Sequence, residues 1–72
     1  MRIPIRIDTM RDATELSKIA SSIDADVYIT DDASNLIVSA KSVIGCLYSM
    51  EFDKLWLVSS SDLYSKFSKF AK

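Results

Sequence analysis

Residues 40–50, "AKSVIGCLYSM", set a lysine and a serine directly before a short apolar run, with the chain's only glycine inside it. A serine that opens a helix sits among unpaired backbone N–H groups at the positive end of the macrodipole. Lys41 adds a further positive charge beside it. Such a place suits a phosphate carried on Ser42. It equally suits a serine that does no more than cap the helix by accepting from first-turn N–H groups.

Other chemistry is narrowed by composition. The chain has no histidine, so imidazole acid/base catalysis, histidine-ligated metals and phosphohistidine are all ruled out. The pairs Asp24/Asp26 and Asp31/Asp32 resemble sets that bind Ca²⁺ or Mg²⁺. Acidic loop clusters are more commonly solvated turn formers, and no metal site is expected here. Cys46 is the single cysteine and cannot form an intrachain disulfide, which fits a reducing cytoplasm. It is expected to be a small buried hydrophobe rather than a reactive thiol. Tyr48, Trp56 and Tyr64 are expected to be partly buried, with polar tips reaching water. No motif calls for a cofactor.

The 72 residues are 49% hydrophobic with one Gly and one Pro, the composition of a single folded domain rather than a disordered tail. Net charge is −1 with the basic residues scattered, so no basic stripe interleaved with aromatics marks nucleic-acid binding. The longest apolar run, "LWLV" at 55–58, is far too short to cross a bilayer, and "MRIPIRI" has no signal-peptide character. A soluble, cytoplasmic protein is expected.

The elements that must position these residues follow from periodicity. In "RIPIRID" (2–8), Ile3, Ile5 and Ile7 alternate with Arg2, Pro4 and Arg6, which predicts a half-buried strand. Pro4 cannot donate to a ladder and places that strand at a sheet edge. Thr9 with Asp12 reads as a capping box opening a helix over 9–23. Ala13, Leu16, Ile19, Ala20 and Ile23 form its apolar stripe, with Glu15, Lys18, Ser21 and Ser22 outside. "DADVYIT" (24–30) and "NLIVSA" (35–40), separated by "DDAS", predict a hairpin with Val27 and Ile29 on one face and Tyr28 on the other. Residues 42–50 predict a second helix in which Val43, Ile44, Leu47 and Met50 form the apolar pattern. Gly45 costs such a helix about 1 kcal/mol relative to Ala and implies close backbone packing. "KLWLVSS" (54–60) is a fourth strand. Ser60 or Ser61 then caps a last helix over 62–72, with Leu63, Phe67, Phe70 and Ala71 inward. The order β-α-β-β-α-β-α predicts an α+β two-layer open-faced sandwich, with a four-stranded antiparallel sheet and three helices on one face.

This order, together with "AKSVIG" at 40–45, resembles the phosphocarrier HPr family of the bacterial sugar phosphotransferase system. In that family a hydrophobic hairpin runs into a near-identical motif that opens a short second helix. Run without gaps back from Lys41-Ser42, the resemblance extends over the first helix and covers essentially the whole chain, with a shorter loop before the fourth strand. The family carries a phospho-accepting histidine in a His-Ala-Arg-Pro motif at the start of the first helix. Here Thr9 takes the histidine's place, Arg11 the arginine's, and Met10 and Asp12 the other two. A Thr hydroxyl needs a general base to act as a nucleophile, and Thr9 is expected to be an N-cap.

The resemblance implies a non-enzymatic regulatory or protein-binding module, with Ser42 matching a serine that some bacteria phosphorylate. It implies a partner-binding surface of Arg11, Lys41, Val43, Ile44 and Leu47, used in relatives for enzyme I, kinases or regulators. Periodicity alone predicts that at least two of the three aliphatics belong to the core. Two rival readings stand beside this one. Phosphoryl transfer through Thr9, Asp8 or Asp12 is the first, and a generic ferredoxin-like interaction domain the second. The ferredoxin-like fold buries the first strand centrally, where Pro4 would break the ladder.

Overall fold

The structure is a computed structural model and describes residues 1–33 and 35–72. Its elements run β1 (Arg2–Ile5), α1 (Met10–Ser21), β2 (Val27–Asp31), β3 (Ile37–Ser39), α2 (Val43–Ser49), β4 (Leu55–Ser59) and α3 (Tyr64–Phe67), followed by a 3-10 turn, Ser68–Phe70. The strands form one antiparallel sheet in the order β1-β4-β2-β3. β1 therefore lies at an edge, as Pro4 requires and as a ferredoxin-like order would not allow. Ser34, in the predicted hairpin loop, lies outside the described residues.

Strand register sorts the side chains into two faces. Ile3–Leu57–Ile29–Val38 and Ile5–Leu55–Asp31 are rows on the helix-covered face. Ile5, Leu57, Ile29 and Leu55 of these rows are buried there with Ala13, Leu16 and Ala20 of α1, and with Phe67 and Phe70. Arg2–Val58–Tyr28–Ser39 and Pro4–Trp56–Thr30–Ile37 are the rows of the open face. On it, the Arg2 guanidinium lies 3.9 Å from the centroid of the Trp56 ring. The indole N–H donates to Asp32 at 3.1 Å, so a carboxylate meets the polar tip that the sequence pattern left to water. Tyr48 and Tyr64 are exposed rather than partly buried.

The last helix is the largest departure from the pattern. It has a single turn before the 3-10 segment, and Leu63 takes the N-cap position without a side-chain cap. Neither Ser60 nor Ser61 caps it. Phe67 and Phe70 do face inward, but Ala71 leaves the helix and bridges Ile5. The outward polar groups of β1 draw it there: Lys72 N–H donates to Pro4 C=O and Arg6 N–H to Phe70 C=O, both at 2.9 Å. Satisfying an exposed strand edge outweighs extending a helix whose N-cap has no hydrogen-bonding side chain.

Candidate functional site

Ser42 is the N-cap of α2. Its backbone is extended (φ −93, ψ 120), and its Oγ accepts from the Gly45 N–H at 3.0 Å. Its carbonyl accepts from the Cys46 N–H at 3.0 Å. The residue itself stays exposed. Just before it, the Lys41 carbonyl accepts from two α1 hydroxyls, Ser17 at 3.0 Å and Ser21 at 3.3 Å. These bonds fasten the start of α2 to the C-terminal half of α1. Ser17 is buried, and the sequence reasoning missed it. Its signal was a hydroxyl lying on the apolar stripe, one residue after Leu16 and three before Ala20.

The inner face of α2 is made of small residues, namely Gly45, Cys46 and Ser49. A Cβ on Gly45 would lie 3.2 Å from both the Ser39 carbonyl oxygen and the Val38 Cβ, and 3.3 Å from the Ser42 Cβ. Glycine is thus what lets the helix approach β3 so closely. The Cys46 thiol donates to the Ala40 carbonyl at 3.3 Å, and burial pushes its pKa up to about 11. Its sulfur therefore stays protonated at neutral pH, a packing group and no nucleophile. Ser49 Oγ donates to the Cys46 carbonyl at 2.6 Å, which satisfies a hydroxyl held against the core.

With small residues inside, the aliphatics turn out. Val43 is 43% exposed and Ile44 80% exposed, while Leu47 is half-buried and packs against the core. The expectation that the core claims at least two of these three is therefore corrected. The helix lies too near β3 for branched side chains to fit beneath it. Tyr48, also outward, sets its ring edge-on to Phe52, with centroids 5.5 Å apart.

The start of α1 is occupied by its own capping. Thr9 Oγ1 accepts from the Asp12 N–H at 3.1 Å, and the Asp12 carboxylate accepts from the N–H groups of Asp8 (3.1 Å) and Thr9 (3.3 Å). Of the three side chains named for phosphoryl transfer there, Thr9 and Asp12 are engaged in the capping box, and the Asp8 carboxylate lies 3.9 Å from Arg6 Nε. Arg11 is strongly exposed, with its Nε 3.7 Å from Glu15, whose other carboxylate oxygen takes the Lys69 ammonium. A cavity of about 210 Å³ beside this helix start is lined by Arg6, Asp8, Asp12, Lys69 and Lys72, a mixed set of charges.

Lys41, Ser42, Val43, Ile44 and Leu47 thus form one continuous segment, and α1 packs against it. Among the described residues, no hydrogen bond or ion pair joins Thr9 or Arg11 to that segment. The hairpin acids serve local structure. Buried Asp31 accepts from the Leu36 N–H at 2.9 Å, and Asp32 holds the Trp56 indole. Among the described residues no group of three metal-ligating side chains converges, and no helix is long and apolar enough to cross a membrane. In comparison with known proteins, no family model matches the chain and no curated protein matches it closely.

Proposed function

We propose that the chain is an HPr-like, cytoplasmic protein-binding module related to the sugar phosphotransferase system, without histidine phosphocarrier activity. It docks partners through the outer face of α2. The observation that carries this reading is the outward placement of Val43 and Ile44 in the first turn, on a helix whose inner face is made of small residues. Exposed aliphatics side by side on a rigid element are what a protein partner can desolvate. Lys41, in the same segment, and Arg11, on the packed neighbour helix, supply a cationic border. "AKSVIG" and the edge position of β1 support the family reading.

Ser42 lies inside this surface. A phosphate there would place negative charge beside Lys41 at the head of α2 and change which partners the surface accepts. It serves as a regulatory mark and not as a phosphate in transit, because a serine ester is a poor donor. The partner is a phosphotransferase-system component, a kinase or a regulator.

Incubation with phosphoenolpyruvate and enzyme I tests the reading. The methyl groups of Val43, Ile44 and Leu47 are expected to shift on binding, with no acid-labile phosphate on the chain. Acid-labile phosphate would overturn it. With ATP and a serine kinase of the same system, mass spectrometry is expected to find phosphate on Ser42. Phosphate elsewhere, or none, removes the regulatory part.

A further inference from the structure

The two edges of the sheet are finished differently. In an antiparallel ladder, bonded and non-bonded pairs alternate, so the N–H and C=O of one residue point to the same side. Ser59 N–H donates to the Met1 carbonyl at 2.9 Å, and the Met1 amino group donates back at 2.6 Å. Ile3–Leu57 and Ile5–Leu55 are then the next bonded pairs, and Arg2, Pro4 and Arg6 turn outward. Along that edge the chain's last residues bond the Pro4 carbonyl and the Arg6 N–H, Pro4 has no N–H to satisfy, and the remaining outward residue, Arg2, carries a charge.

At the other edge, Ala40 N–H donates to the Val27 carbonyl at 2.8 Å. Val38–Ile29 is then the next bonded pair, and Ile37 and Ser39 turn outward. The Ser39 carbonyl accepts from the Ser42 N–H at 3.1 Å. The N–H and C=O of Ile37 and the N–H of Ser39 have no partner among the described residues. The Ile37 side chain, on the open face, is 67% exposed. Residues 35–40, "NLIVSA", carry no charge, proline or glycine. The usual devices that keep an edge from pairing, apart from its shortness, are missing here.

We propose that the β3 edge pairs with the β3 edge of a second copy, antiparallel across a twofold axis at Ile37. The edge is self-complementary. Ile37 presents one donor and one acceptor on the same side, so two copies exchange both bonds at that pair. In the same register Ser39 lies opposite Asn35 of the other chain. The two Ile37 side chains meet on the open face as a cross-strand apolar pair. A net charge of −1 per chain offers little repulsion to such pairing. A three-residue edge covers far less than the roughly 800 Å² per partner of a standard interface, so association is weak and concentration-dependent.

Sedimentation velocity and amide exchange from micromolar to millimolar chain test this. The expected result is a mass that doubles across the range, with slower exchange at the Ile37 and Ser39 amides. Ile37→Lys leaves the inward bonds of Val38 intact and places like charges across the axis, so it is expected to remain a folded monomer. Ile44→Lys on α2 is expected to associate like the parent chain. A single-chain mass throughout, association that survives Ile37→Lys, or association abolished by Ile44→Lys would each overturn the proposal.

Discussion

The starts of α1 and α2 use the same local device for opposite ends. Each opens on a hydroxyl residue with extended backbone whose oxygen accepts from the N–H three residues on. In α1 the apolar stripe then turns inward, and Ala13, Leu16 and Ala20 vanish into the core. In α2 the branched aliphatics turn outward, and Gly45, Cys46 and Ser49 take the inner face. A cap therefore says where a helix begins and nothing about which side it buries. That side is set by how closely the helix must approach the sheet. Large residues inside suit a helix held away from the sheet, and small ones inside suit a helix that approaches it closely.

Substitutions at matched positions put this contrast to the test. Leu16→Ala should lower stability by about 2–5 kcal/mol in chemical denaturation, because it empties a fully buried site. Ile44→Ala, the same kind of truncation on α2, should change it by less than about 0.5 kcal/mol. Equal losses would mean that α2 packs like α1. Gly45→Val should cost about 1–3 kcal/mol, since the new side chain meets the Ser39 carbonyl and the Val38 side chain and must push the helix off β3. A neutral or stabilising outcome would remove the reason given for the small inner face. The caps fall between the Leu16 and Ile44 truncations. Thr9→Ala and Ser42→Ala should each cost about 1 kcal/mol, while Ser42→Asp, which keeps an acceptor, should cost less.

What the sequence made legible follows the range of the forces involved. Short-range rules placed the β1 alternation, the Thr9–Asp12 capping box, the hairpin and the Ser42 helix start. Pro4 alone placed β1 at an edge, because a residue without an N–H must face away from the ladder. Long-range demands were hidden. Ala71 and Lys72 leave helical geometry to close the outer side of β1, a need created by residues more than sixty positions earlier. The orientation of α2 was hidden for a related reason. Val43, Ile44, Leu47 and Met50 satisfy a helical period equally well whether the stripe faces the sheet or the solvent, and only the closeness of Gly45 to β3 decides. Gly45 was itself the clue, since an unexplained helix glycine signals a close approach.

The outward aliphatic face of α2 as a docking surface is tested most directly by immobilising the chain and comparing the proteins it retains from a bacterial cytoplasm. The parent chain, Ile44→Arg and Ile37→Lys would be run side by side, with each variant first shown to fold by amide spectra. The expected result is a set of proteins retained by the parent chain and by Ile37→Lys but lost from Ile44→Arg. Retention of the same proteins by Ile44→Arg would contradict it.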